Sequence, residues 1–171
     1  MVIEFNGKYP KIDPTAFIAE NAVIIGDVEI GKNANIWFGS IVRGDLNYIR
    51  IGTNCNIQDA CVIHVVKDLY PVILEDDVAL GHRVVIHGCR VGRGSLIGTG
   101  AIVLDGAVIG EESVVGAGAV VTPKSIIPPR SMVMGTPAKV VRTLNDDDID
   151  KIKDIIQEYL DLKEIYRGLG K

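Results

Sequence analysis

Aliphatic residues recur along this chain with a period of six. They fall at positions 12, 18, 24, 30, 36 and 42, and after a shift of three they return at 51, 57 and 63. A longer break leads to 74, 80 and 86. One residue is then dropped, and eight units run without interruption from Val91 to Val133. All twenty positions are Ile, Val or Leu. Four residues after the aliphatic stands Ala, Ser, Cys or Val in sixteen of the twenty units, and directly after it stands Gly in seven. Side chains of a strand alternate between its two faces, so the small residue and the next aliphatic, two apart, both point inward. The residue after the aliphatic points outward, and turns separate the units. A helix is excluded, because six is not a multiple of 3.6 and so much Gly and β-branching opposes it.

These columns resemble those of the hexapeptide-repeat proteins. The resemblance implies a mainly β fold: a left-handed parallel β-helix, triangular in section, with three units per coil and coils stacked roughly 4.8 Å apart. Twenty units make six to seven coils. The segment GTPAKVVR, residues 135–142, resembles the closing sequence of that fold, with Pro137 ending the repeat. Beyond it, acids at 146–148 favour a helix amino terminus, and Ile149, Ile152, Ile156 and Tyr159 share one helical face. Gly168 and Gly170 are expected to stop that helix. The expected organisation is therefore a β-helix over 1–142 and a helix packed on it over 143–171.

Composition narrows the function. Hydrophobic residues make up 47% of the 171 but aromatics only 5%, so the core is aliphatic. A net charge of −4, a pI near 5.3 and the lack of a basic patch argue against nucleic acid as a partner. The amino terminus has no basic stretch followed by an apolar run, and no segment is apolar for long enough to span a membrane. Three cysteines do not suggest a disulfide framework, and a cytoplasmic location is expected. Cys55 and Cys61 stand in the small inward column and read as packing residues.

The repeat also places the three histidines. His64 follows Ile63 and His87 follows Ile86, so both take the outward slot. Ile63 and Ile86 are one coil apart. Their imidazoles therefore stack on one face, about one strand spacing apart, close enough to share an ion at Zn–N distances of ~2.0–2.1 Å. His82 lies two residues after Leu80, at a turn near another edge of the triangle. It is expected to reach the other two only from a neighbouring chain, if three prisms pack about a threefold axis. An intersubunit metal site follows: His64 and His87 from one subunit, His82 from the next. Asp59 stacks under His82. Arg43 stacks under His64 if the stretch from Val42 to Arg50 counts as one enlarged unit, and Asp45 lies two residues further on.

The stretches IVRGDLNYIRIGTNCNIQDACVIH, GHRVVIHGCRVG and GTPAKVVR resemble the γ-class carbonic anhydrases, over essentially the whole chain. The resemblance implies a homotrimer with one ion at each subunit interface, zinc in most cases and iron or cobalt as alternatives. It implies reversible hydration of CO2 to bicarbonate by a metal-bound hydroxide. Arg43 and Asp45 match the family's interface pair, Asn56 and Asp59 its accompanying polar residues, and Gln58 the glutamine near the metal-bound solvent. Tyr159 matches a tyrosine that many homologues place close to the site. Two departures stand out: Leu46 occupies the position of an archetypal glutamate, and the loop VVKDLYP after His64 is short, with Asp68 its one acid. Two other classes suit the same fold. One is an acyltransferase using a single histidine as base. The other is a metal-binding homologue without hydratase activity, serving as a scaffold or thioesterase.

Overall fold

The structure is a computed structural model that describes residues 1–169. The six-residue columns form a parallel β-solenoid with three strand columns per coil. Eighteen of the twenty aliphatic positions, Ile24 through Val133, are buried, while Ile12 and Ile18 in the first coil are half-buried. The small column lies beside them: Ala34, Cys55, Cys61, Ala101 and Ala119 are all buried.

The first face stacks Val42, Ile63, Ile86, Val103 and Val121 in register. The second stacks Ile30, Ile51, Leu74, Val91, Ile109 and Ile127. The third runs Ile18, Ile36, Ile57, Leu80, Ile97, Val115 and Val133, which makes seven coils. Glycine after the aliphatic is a packing requirement. A Cβ on Gly98 would fall 2.6 Å from the Ala117 amide nitrogen, and one on Gly110 would fall 2.4 Å from that of Pro129. The next coil occupies the space a side chain would need.

All three interruptions of the repeat fall on one edge, between the first and second faces. There the strands Val23–Ile30 and Ile41–Ile51 run on from one face to the other, with a register shift between Gly26 and Val28. The extra residues 65–71 bulge from the same edge, closed by the Val66 N–H donating to the Tyr70 carbonyl at 2.8 Å. The dropped residue is the shortened turn at Gly88, where φ is +52° and where a Cβ would press on Val66 and Tyr70.

The third face is covered by the chain itself. Ser131–Gly135 pairs antiparallel with Ala138–Thr143, which reverses the chain at the end of the solenoid. The helix Asp146–Leu169 then lies back along the face, with Leu144, Ile152, Ile156 and Leu160 against Ala79, Leu96, Val114 and Met132. Its start is a reciprocal cap: Asn145 Oδ1 accepts from the Asp148 N–H at 2.9 Å, and the Asn145 N–H donates to Asp148 at 3.0 Å. Arg142 forks onto the same carboxylate, and its hydrogen bonds, more than the cap, hold Asp148 well below the usual carboxylate range.

One expectation fails here. Gly168 does not stop the helix, which continues to Leu169, and Gly170 lies outside the described residues. The last turns are anchored on the first coil, where Lys163 is buried and Arg167 donates to the Thr15 carbonyl at 3.1 Å. Such contacts outweigh the roughly 1 kcal/mol that a glycine costs in a helix. Among the described residues no helix is long and apolar enough to cross a membrane.

Candidate metal centre

His64 and His87 are directly paired across adjacent strands of the first face, and Arg43 pairs with His64 one coil below. The rings are tilted with centroids 5.2 Å apart, and His64 Nδ1 lies 3.2 Å from His87 Nε2. The remaining nitrogens meet carboxylates. His64 Nε2 is 2.9 Å from Asp45 Oδ1, and His87 Nδ1 is 2.5 Å from Asp105 Oδ1. Arg43 is ion-paired with Asp45 through the other oxygen. Burial pushes the Asp45 carboxyl up, but hydrogen bonds to His64 and Arg43 outweigh it and hold the group below its ordinary value.

A carboxylate can only accept, so each outer nitrogen carries its N–H, and in a neutral imidazole the other nitrogen is then a lone pair. With both imidazoles neutral, His64 Nδ1 and His87 Nε2 turn two lone pairs on each other at 3.2 Å, and with one ring protonated the same contact is an N–H···N hydrogen bond. The neutral pair repels unless a metal ion or a shared proton lies between the two nitrogens. Two ligands of a tetrahedral ion at ~2.0–2.1 Å stand roughly 3.3–3.4 Å apart, close to what the pair already provides. Among the described residues, no group of three or more His, Cys, Asp or Glu side chains in one chain is arranged to hold a metal.

His82 lies on a different edge, between the third and first faces, in the turn after Ala79–Leu80. Its Nδ1 is 2.9 Å from Asp59 Oδ2, in the same position one coil below, and the imidazole is 47% exposed. The other expected site residues gather on this side. Gln58 is buried beside Asp59. Tyr159 packs edge-on against Trp37 at 5.4 Å, and burial, followed by the nearby Asp59 charge, raises its phenol above the ordinary value. Asn56 lies under the helix in register with Asn35 and Ala79, fully buried, with neither side-chain amide atom hydrogen-bonded within the chain. The expected residues therefore form two clusters on opposite edges of the first face. Arg43, Asp45, His64 and His87 make one; Asn56, Gln58, Asp59, His82 and Tyr159 make the other.

Asp105 is the site residue that the sequence did not yield. It follows Val103, which stacks on Ile86, but its turn is offset by one position from His87 because the His87 corner is a residue short. Cys89 is buried, and burial pushes its thiol up to about 12, so it is no thiolate ligand at neutral pH.

The coil columns and the paired histidines define the class first: a hexapeptide-repeat β-solenoid. The family model described as "Bacterial transferase hexapeptide (six repeats)" matches residues 9–44 and 88–123. A protein named carbonic anhydrase from Geobacillus kaustophilus is 43% identical over 169 residues, covering 99% of this chain and 92% of its own. The uncharacterized transferase YtoA of Bacillus subtilis is 50% identical over 169 residues, covering 99% and 98%. A crystal structure of a hexapeptide transferase family protein from Anaplasma phagocytophilum is 37% identical, with a TM-score of 0.93 over 97% of this chain and 98% of that one. The chain belongs to the γ-class carbonic anhydrase family of hexapeptide-repeat proteins.

Proposed function

We propose that this protein is a metal-dependent carbonic anhydrase that interconverts CO2 and bicarbonate as a homotrimer. His64 and His87 of one subunit and His82 of the next would hold the ion. The observation that carries this reading is the pair of imidazole nitrogens that face each other at 3.2 Å, each ring backed by a carboxylate on its far side. When bound, zinc on three neutral imidazoles with a position left open supplies hydroxide at neutral pH, by lowering the pKa of water to roughly 7. Asp45 and Asp59 would each hold the imidazole beside them, His64 and His82, in one tautomer. Arg43 braces Asp45, and Gln58 is placed to orient substrate by hydrogen bonding. The buried amide of Asn56 backs the His82 edge. Protons would leave through the cleft of about 330 Å³ that Asp45, Leu46 and Asp68 line together. Asp68 in its lining is the acid that the short loop retains. Zinc is the first choice of metal, with iron or cobalt as alternatives, and three buried free cysteines suit the cytoplasm.

The first face supports the assembly. Its outward column reads Val23, Ile41, Val62, Val85, Ile102 and Val120, aliphatic at every coil, and the two histidine edges bound it on either side. The test is subunit mixing. His64→Ala and His82→Ala proteins should each bind no zinc and hydrate no CO2. Refolded together at equal amounts, they should recover about one quarter of the wild-type sites, because one neighbour pair in four is complete in a cyclic oligomer. No recovery, from trimers shown to be mixed, refutes the shared centre.

A transferase is the second reading, favoured by the exposed His82–Asp59 pair, which has the form of an oriented general base. Acetyl-CoA binding that survives loss of His64 supports it. Zinc binding without hydration of CO2 supports a scaffold or thioesterase.

A further inference from the structure

We propose that Asp105 is a positioning residue that fixes the tautomer and aim of His87; the inference rests on the metal centre proposed above. Asp105 occupies an Asp-Gly turn, and such a residue ordinarily hydrogen-bonds its own backbone two residues on. Asp13 does so in this chain, accepting from the Thr15 N–H at 2.9 Å. Asp105 does not. Its Oδ1 reaches across to the coil below and meets His87 Nδ1 at 2.5 Å.

The turn that presents it is held from three sides. The Asp105 carbonyl accepts from the Lys124 N–H at 2.8 Å above, and the Gly106 N–H donates to the Gly88 carbonyl at 2.7 Å below. Laterally, the Tyr70 ring lies where a Cβ on Gly106 would be, 2.9 Å from its Cζ. Gly106 takes φ +68° there, so the glycine admits both the turn and the ring. The loop that follows His64 is thereby packed on the turn that orients His87. With its N–H pinned at Nδ1, His87 directs the Nε2 lone pair at His64 and has no second tautomer to offer. An outer hydrogen-bond partner of this kind is worth about 10–100-fold in metal affinity.

The experiment compares wild type with Asp105→Ala and Asp105→Asn. In metal-free protein labelled with 15N-histidine, the wild-type His87 signals should report a proton held at Nδ1. Asp105→Ala should give a mixture of tautomers, and Asp105→Asn, whose amide oxygen still accepts, should keep the wild-type form. Zinc affinity by chelator competition should fall about 10–100-fold in Asp105→Ala and less than about tenfold in Asp105→Asn. Light scattering should show the oligomer unchanged in both. An unaltered His87 tautomer in Asp105→Ala, or equal losses of zinc affinity in the two variants, overturns the proposal. Wild-type protein that takes up no zinc while its His87 tautomer still depends on Asp105 overturns the metal centre and leaves the positioning role standing.

Discussion

The first and second faces of the solenoid share an inner construction and differ on the outside. Both stack aliphatic residues inward in register, coil after coil. On the second face the outward column reads Lys11, Glu29, Arg50, Ile73, Arg90, Val108 and Ile126; it ends aliphatic, but its earlier coils are tied by ion pairs of Lys11 and Arg50 with Glu29, Arg50 with Asp27 and Arg90 with Glu75. On the first face the same slot holds only Val and Ile, with Ile41 and Val62 each 39% exposed. Burial drives the inner column on both faces. The outer column decides what each face meets: water and counter-charges on the second and, in the proposed trimer, another apolar surface on the first. Large aliphatic residues exposed in a continuous stripe mark an interaction surface, whereas scattered ones need no explanation.

The sharpest way to break this contrast is a charge in the stripe. Val62→Asp should turn the proposed trimer into monomers by light scattering and remove zinc binding with it, while circular dichroism stays that of folded coils. Arg50→Asp, one coil below on the second face, should leave both mass and metal content unchanged. A Val62→Asp protein that remains trimeric would show that the stripe is not the interface. The third face supplies an internal standard, since its apolar partner is known. Ile152→Ala in the helix should cost about 2–5 kcal/mol in denaturant unfolding, without changing the subunit count. Removing the helix cap with Asn145→Ala should cost about 1 kcal/mol.

Acid should loosen the same helix. The folded-state pKa of Asp148 is depressed, so its contribution is complete above the ordinary carboxylate value of 3.8 and is lost as pH falls below it. Stability followed from pH 6 to pH 2 should therefore drop less steeply in Asp148→Asn. The smallest effect belongs to the second face, where Arg50→Ala should cost under about 1 kcal/mol, because its ion pairs are only half-buried and solvent still screens them.

Much of this was legible in the sequence, and for a physical reason. A solenoid repeats its contacts at fixed spacing, so position along the chain becomes height and face. Counting units placed His87 on His64, His64 on Arg43 and His82 on Asp59, as the strand pairing and the ion pair have it. What the count could not supply lay where the spacing changes. Asp105 escaped because the corner beneath it is one residue short, which moves its partner out of register. The continuous strands through Gly26 and Gly44 escaped because nothing in a six-residue pattern distinguishes a turned corner from a bent strand. The helical state of Gly168 escaped because anchoring on Thr15 and the first coil overrides its local preference.

The confinement of every irregularity to one edge has a further consequence. Coils above and below are locked together by backbone contact, as at Gly98 and Gly110, and tolerate no change in length. The edge with the loop at 65–71 tolerates several, and it borders the paired imidazoles. Residues can be spliced in or trimmed away there without moving a single rung of the ladder. Evolution, or an engineer grafting a new loop, can thus remodel the doorway to the chemistry while the building stands untouched.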